Sequence, residues 1–65
     1  MFLWLAEAKQ APGYFLYIDE HGRSARTPSP KHAMRCLTED GCQAYIEEFC
    51  MEAHFAPTAH CFDGQ

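Results

Sequence analysis

Two histidine–cysteine pairs have a spacing suited to metal binding. His32 and Cys36 lie four residues apart, as do Cys50 and His54, and residues at that spacing share one face of a helix. Four such ligands converging on one point would make a tetrahedral zinc site, so a small zinc module is one hypothesis. Against it, the sequence contains no C-x-x-C motif and the pairs fall on separate predicted elements. We predict no metal and no other cofactor.

The four cysteines could instead form disulfides in a secreted mini-protein. The N-terminal stretch MFLWLAEAKQ argues against secretion, because it lacks a basic leader and polarity returns after a short apolar run. The same stretch is too short and too polar to span a membrane. We therefore expect a cytoplasmic protein whose cysteines are reduced thiols in the core. They are Cys36, Cys42, Cys50 and Cys61.

No residue pattern predicts catalysis. A cysteine nucleophile needs an activating base and an orienting group, and no spacing places His21, His54 or His60 beside a given cysteine. Glu47 and Glu48 are neighbours on a predicted helix and diverge, so they cannot work as an acid–base pair. A chain of 65 residues also leaves little room for a water-excluding pocket. We expect a protein that is not an enzyme.

Charge is unevenly distributed along the chain. All five basic residues lie in the first 35 positions, together with three acidic ones. No lysine or arginine follows Arg35, whereas six carboxylates do: Glu39, Asp40, Glu47, Glu48, Glu52 and Asp63. A surface of one sign selects partners by charge. The net charge of −4 also argues against direct nucleic-acid binding by the basic residues of segment 23–35.

One helix is predicted over about 39–53. Thr38 is a favoured N-cap residue, and Glu39 and Asp40 follow in the first turn, where the helix dipole favours anions. Apolar residues then recur at i, i+3, i+4 and i+7, which indicates a core-facing side. That side consists of Cys42, Tyr45, Ile46, Phe49, Cys50 and Ala53.

The outer side of this helix carries carboxylates with no basic residue four positions away. Solvated helices usually gain about 0.2–0.5 kcal/mol from each ion pair between an acidic residue and a basic residue four positions later, and this helix contains no such pair. Ala44 and Met51 lie between the acidic residues on the helical wheel. We predict a partner-binding surface made of Glu39, Asp40, Ala44, Glu47, Glu48, Met51, Glu52 and Asp63. The alternative is a merely solvated face of an acidic protein.

Segments rich in aromatic and aliphatic residues predict strands on either side of this helix. Residues 2–8 and 14–19 form a predicted hairpin around the turn residues 9–13. Segment 20–30 has loop composition, and Ser29 before Pro30 predicts a short helical turn at 30–35. Residues 55–62 form a predicted third strand, which Pro57 assigns to a sheet edge.

The fold predicted from these elements is α+β, a single domain over residues 1–65 in the order ββαβ. An antiparallel three-stranded sheet packs against the long helix. Both faces of the first two strands are apolar. The face away from the helix therefore needs cover from the middle segment, a second copy of the chain or a partner. We expect a monomer or a weak dimer.

The layout resembles that of small acidic proteins encoded by bacteriophages and mobile elements, above all anti-CRISPR proteins. The matching residues are Ser29-Pro30, Ala33, Arg35, Thr38, Ala44-Tyr45-Ile46 and Ala59-His60, in the pattern S-P-x-x-A-x-R, T-x-x-x-x-x-A-x-I and a closing strand. The resemblance implies an inhibitor of type I CRISPR surveillance complexes that acts in the bacterial host cytoplasm. It carries over no set of binding residues, because these proteins share a role more than a sequence.

Two functional hypotheses follow. In the first, the acidic side of the helix imitates the regular negative charges of a nucleic-acid backbone and occupies a basic DNA-binding surface of a type I CRISPR Cascade-like complex. In the second, the chain is a structural or adaptor domain that homodimerises through the exposed sheet face.

Overall fold

The computed structural model describes residues 1–62, and its first two strands form the predicted hairpin. Strand β1 spans Phe2–Ala8 and strand β2 spans Phe15–Ile18, and the two are antiparallel. The Ala8 N–H donates to the Tyr14 carbonyl at 2.8 Å. Gly13 has a φ of +94°, a left-handed conformation that favours glycine, and its N–H donates to the Glu7 carboxylate at 2.9 Å. Turn chemistry therefore fixes this hairpin.

A further strand replaces part of the loop predicted over 20–30, so that prediction is wrong. Strand β3 spans Ser24–Thr27 and pairs with β2 in antiparallel register. The connecting turn is held by the Asp19 carboxylate, which accepts the N–H groups of His21 and Arg23 at 2.9 Å. Gly22 supplies a positive φ of +80°. This polar strand is stable because its backbone N–H and C=O groups pair with those of the neighbouring strand β2.

The helical turn predicted at 30–35 does not extend over that segment. Only a single turn forms, with the His32 N–H donating to the Ser29 carbonyl at 3.1 Å. The chain then extends, and strand β4, Arg35–Cys36, pairs with β1 opposite Leu5 and Trp4. Backbone bonding to β1 therefore outcompetes helix propagation in this segment.

The helix α1 spans Glu39–Glu48. It begins where predicted, and the Thr38 hydroxyl accepts the Gly41 N–H at 3.0 Å as an N-cap. It ends five residues short of the predicted position 53, because Cys50 adopts a left-handed φ of 56°.

This helix end is a Schellman motif. The Cys50 N–H donates to the Glu47 carbonyl, and the Met51 N–H donates to the Ile46 carbonyl, each at 3.0 Å. Met51 packs against the core cluster that contains Ile46, which is the apolar contact that accompanies this motif. The chain therefore turns back into the core after Phe49.

Strand β5, Phe55–Cys61, pairs with β1 over its whole length, from Phe2 opposite Cys61 to Ala8 opposite Phe55. Among the described strands it pairs with β1 alone, so Pro57 lies on an edge strand as predicted. The sheet has five strands in place of the predicted three, and β1 lies at its centre. The α+β class is confirmed, whereas the strand count and the helix length are corrected.

The core lies on both faces of this sheet. On the helix side, α1 contributes Cys42 and Ile46, which pack with Ala6, Ala8, Leu16 and Phe55. On the opposite side, Ala33 packs against Leu5 and Phe15, with Phe62 beside them. The middle segment therefore supplies cover for the second face, which was one of the expected solutions.

Candidate functional site

The outer side of α1 and the turn after it carry five exposed acidic residues. Thr38 sets the start of the helix, and the buried Cys42 and Ile46 orient it on the sheet. The carboxylate-bearing residues consequently face solvent. We call the exposed set Glu39, Asp40, Ala44, Glu47, Glu48 and Glu52 the acidic surface.

None of the acidic-surface carboxylates forms an ion pair within residues 1–62. The acidic residues of the sheet differ, because Asp19 contacts Arg23 at 3.2 Å and Glu7 lies 3.7 Å from His60. Glu20 lies 3.7 Å from His21. Within residues 1–62, Asp19 is therefore paired with an arginine, whereas no acidic-surface carboxylate lies within ion-pair distance of a lysine, arginine or histidine.

Two members of the acidic surface accept hydrogen bonds, Glu47 through its side chain and Glu52 through its backbone. Gln43 donates through Nε2 to the Glu47 carboxylate at 2.9 Å, which holds that side chain along the helix. Lys9 donates through Nζ to the backbone carbonyl of Glu52 at 2.9 Å. Lys9 thereby sets a basic boundary at the end of the acidic surface, a contact that the sequence spacing did not indicate.

Two of the predicted partner-binding residues do not belong to the acidic surface. Met51 is half-buried and packs against the core, because the helix has ended and the Schellman motif turns the chain inward. The predicted stripe between the carboxylates is therefore reduced to Ala44. Asp63 lies outside the described residues.

The core side of the helix is also shorter than predicted. Tyr45 and Phe49 are half-buried and stack on each other with ring centroids 5.0 Å apart. Cys50 and Ala53, assigned to the core from the periodicity, are exposed because they follow the helix end. Helical periodicity cannot register a chain reversal of this kind.

The cysteines divide into two groups. Cys42 is fully buried, and burial, followed by the nearby Cys36 thiol, raises its pKa to about 12. These two fit the expected core thiols, Cys36 being half-buried. Cys50 and Cys61 are exposed, which contradicts the prediction of core positions for them. All four are free thiols.

No group of three or more His, Cys, Asp or Glu side chains in the described part of the chain is arranged to hold a metal ion. The nearest approach to a polar cluster is His60, whose Nε2 atom lies 2.8 Å from the Thr58 hydroxyl and 3.7 Å from the Glu7 carboxylate. Phe15 packs edge-on against the His60 ring at 5.1 Å. One nitrogen serves both neighbours, so this is a packing arrangement and differs from a nucleophile–base–acid relay.

An open groove of about 340 Å³ lies between the β2–β3 hairpin and the turn after α1. Buried Leu16 and Phe55 form part of its lining, while exposed Arg26 and His54 lie at its rim. The described lining of the groove includes Arg26 and no carboxylate, in contrast to the acidic surface. The groove was not predictable from the loop composition of segment 20–30, because it depends on the pairing of β3 with β2.

The basic residues of segment 23–35 are dispersed. Arg23 pairs with Asp19, and the Arg35 guanidinium lies 5.5 Å from the Phe62 ring centroid. The described residues include no helix that is long and apolar enough to cross a membrane.

Comparison of the chain with protein-family models, with curated proteins and with solved structures gave no match.

Proposed function

We propose that this protein is a non-enzymatic inhibitor, encoded by a phage or mobile element, that uses its acidic surface to bind a basic nucleic-acid-binding protein. The observation that carries the proposal is the set of exposed carboxylates without an ion pair among residues 1–62, on a helix that packs against the core through Cys42 and Ile46. Such a surface retains its full negative potential for a partner.

The preferred target is the DNA-binding surface of a type I CRISPR surveillance complex in the bacterial host cytoplasm. Complexes of this kind hold DNA through lysine and arginine contacts to phosphates. An acidic helix that occupied those contacts would exclude DNA by competition, with no catalytic step. The choice of this target rests on the resemblance described above and on the charge.

A DNA-binding assay with a purified type I surveillance complex tests this mechanism. Rising concentrations of the protein should displace labelled target DNA, and the triple reversal of Glu47, Glu48 and Glu52 to lysine should abolish the displacement. If target DNA still binds normally at saturating protein, the proposed mimicry of nucleic acid is wrong.

A matched pair of variants separates local charge from net charge. Glu48→Lys and Glu20→Lys change the net charge equally, and both residues are exposed. Only Glu48 belongs to the acidic surface, since Glu20 lies in the β2–β3 turn. Glu48→Lys should weaken inhibition by about tenfold, whereas Glu20→Lys should inhibit like the wild type. Equal loss in both variants would contradict a localised docking surface.

The alternative of a structural domain that dimerises through its sheet face receives less support. The residues that would form such an interface, Leu5 and Phe15, are 0% and 4% exposed beneath the middle segment. The acidic surface is therefore the better candidate for partner binding.

A further inference from the structure

The outer edge of β5 is the longest unpaired strand edge among residues 1–62. β5 runs Phe55–Cys61 and pairs on one side with β1, while no other described strand lies on its far side in the sheet. An unpaired edge presents backbone N–H and C=O groups that can extend the ladder into another chain.

The hydrogen bonds at both ends of β5 show which residues face outward. The Phe62 N–H donates inward to the Met1 carbonyl at 2.8 Å, next to the β1 register. The Phe55 N–H points away from β1 and donates to the Met51 carbonyl at 3.0 Å. Because successive residues of a strand alternate in direction, the odd-numbered positions face outward. They include Pro57, Ala59 and Cys61.

These outward positions are unequal as hydrogen-bonding groups. Pro57 offers only a carbonyl, because proline has no N–H. Ala59 and Cys61 each offer an N–H and a carbonyl, and within the described chain neither N–H has a partner across this edge. The edge therefore has one acceptor-only position followed by two that offer both a donor and an acceptor.

The usual protections of an edge strand are few here. Segment 55–61 contains no lysine, arginine, aspartate or glutamate, so no charge guards the edge. Ala59 and Cys61 are exposed, and Phe2, which pairs with Cys61, has 68% of its surface exposed. A partner strand would find an uncharged backbone edge with small and apolar side chains.

We propose that a second copy of this chain pairs with this edge, antiparallel, with the twofold axis at Ala59. The Ala59 N–H of each copy then donates to the Ala59 carbonyl of the other. The Cys61 N–H of each copy donates to the Pro57 carbonyl of the other. Pro57 has no N–H to donate, and its carbonyl accepts the hydrogen bond from the Cys61 N–H of the other copy.

This pattern favours a copy of the same chain over an unrelated strand. A twofold interface requires one surface to complement itself, and here the same short segment supplies both the donors and the acceptors. Within Phe55–Cys61, a register centred on His60 pairs only residues 59–61 of each copy and leaves the Pro57 carbonyl outside the paired stretch. The register centred on Ala59 pairs residues 57–61 of both copies and stays clear of Phe55, whose outward N–H is already bonded to the Met51 carbonyl. The two sheets then join into one.

Ala59→Pro is the decisive variant, because the Ala59 N–H faces away from β1. Proline there removes the central intermolecular bonds and leaves the β1–β5 ladder intact, as Pro57 already does at its own position. Sedimentation equilibrium of the wild type should show a mass that rises with concentration from 7.4 kDa toward twice that value. Ala59→Pro should remain at the monomer mass with an unchanged circular dichroism spectrum.

Ala59→Ser serves as the control, since it keeps the N–H and should dimerise like the wild type. A wild type that stays monomeric at the highest soluble concentration overturns the proposal. So does an Ala59→Pro variant that folds and still dimerises.

Cross-linking tests the register. Ala59→Cys, in a background with Cys50→Ser and Cys61→Ser, places the two new thiols directly opposite each other, with Cα atoms about 5.5 Å apart, within disulfide range. Mild oxidation with copper–phenanthroline should give a covalent dimer. His60→Cys in the same background should cross-link poorly, and the reverse order of yields would refute the Ala59-centred register.

The dimer and the proposed inhibitor function are tested independently. Ala59→Pro retains every carboxylate of the acidic surface, and Glu48→Lys retains the β5 edge. Backbone pairing should also persist at high salt, where contacts made by an exposed charged surface weaken.

Discussion

The Cys42 thiol is the most strongly perturbed titratable group described. It lies fully buried between α1 and the sheet, and its burial, together with the neighbouring Cys36 thiol, raises its pKa from 9.0 to about 12. The thiol is therefore protonated and unreactive at neutral pH, in contrast to a catalytic cysteine, whose pKa is lowered.

Cys42 should make stability fall at alkaline pH. Below pH 9 the thiol is protonated in both states, whereas between pH 9 and about 12 the unfolded chain ionises first. The free energy of unfolding should accordingly decrease as pH rises through that window. Urea unfolding of the wild type and of Cys42→Ala measures the effect, because lysine and tyrosine titrate alike in both. Parallel pH profiles of the two proteins would contradict the assignment.

At the scale of elements, the end of α1 carries a residue in an unfavourable conformation. Cys50 occupies the C′ position of the Schellman motif with a φ of 56° and is exposed. A left-handed conformation costs a residue with a Cβ roughly 1–2 kcal/mol, whereas glycine adopts it freely. The position is set by the chain reversal and by the Met51 contact with the core.

Cys50→Gly should therefore stabilise the protein. We expect the free energy of unfolding to rise by about 1 kcal/mol, somewhat offset by the greater freedom of glycine in the unfolded chain. Cys50→Ala, which keeps the Cβ, is the matched control and should lie close to the wild type. Chemical denaturation compares the three, and a Cys50→Gly variant less stable than Cys50→Ala would disprove the conformational argument.

The start and the buried side of α1 were predictable from the sequence, whereas its end was not. Thr38 and the spacing of Cys42 and Ile46 predicted its start and its buried side, because capping and periodicity are local properties. Its end depends on Cys50 and on the core contact of Met51, which are tertiary. The prediction of Met51 as a partner-binding residue was therefore wrong.

The sheet followed the same division between local and tertiary control. The β1–β2 hairpin was predictable from Gly13 and its neighbours. Strand β3 was missed because Ser24–Thr27 is polar and gains its bonds from β2, although Asp19 and Gly22 were available turn signals. Strand β4 was missed because its bonds go to β1, far away in the sequence.

At the scale of the whole molecule, stability and recognition make opposite demands on charge. Glu48 ends α1 beside the negative pole of the helix dipole, with no basic residue in the last turn. The Glu48 carboxylate therefore costs the fold some free energy while it contributes to the negative potential of the acidic surface.

Glu48→Lys should consequently raise stability while it weakens partner binding. We expect about 0.3–1 kcal/mol more free energy of unfolding at low salt, with the gain shrinking as salt is added. Thermal unfolding at low and high ionic strength measures this. A destabilised variant would show that Glu48 has a structural role and would remove the reason for reading its charge as functional.

The pairing of β1 with β5 also has a consequence for the order of folding. Phe2 lies opposite Cys61, so the longest ladder of the sheet joins the two extremes of the described chain, whereas the β1–β2 hairpin closes over a short turn. Closing a long loop costs more entropy than closing a short one, and non-local pairing slows folding. During synthesis the edge of β1 that pairs with β5 consequently remains unpaired until β5 has left the ribosome. Over that interval the unpaired edge is open to aggregation, and chaperone binding would protect it.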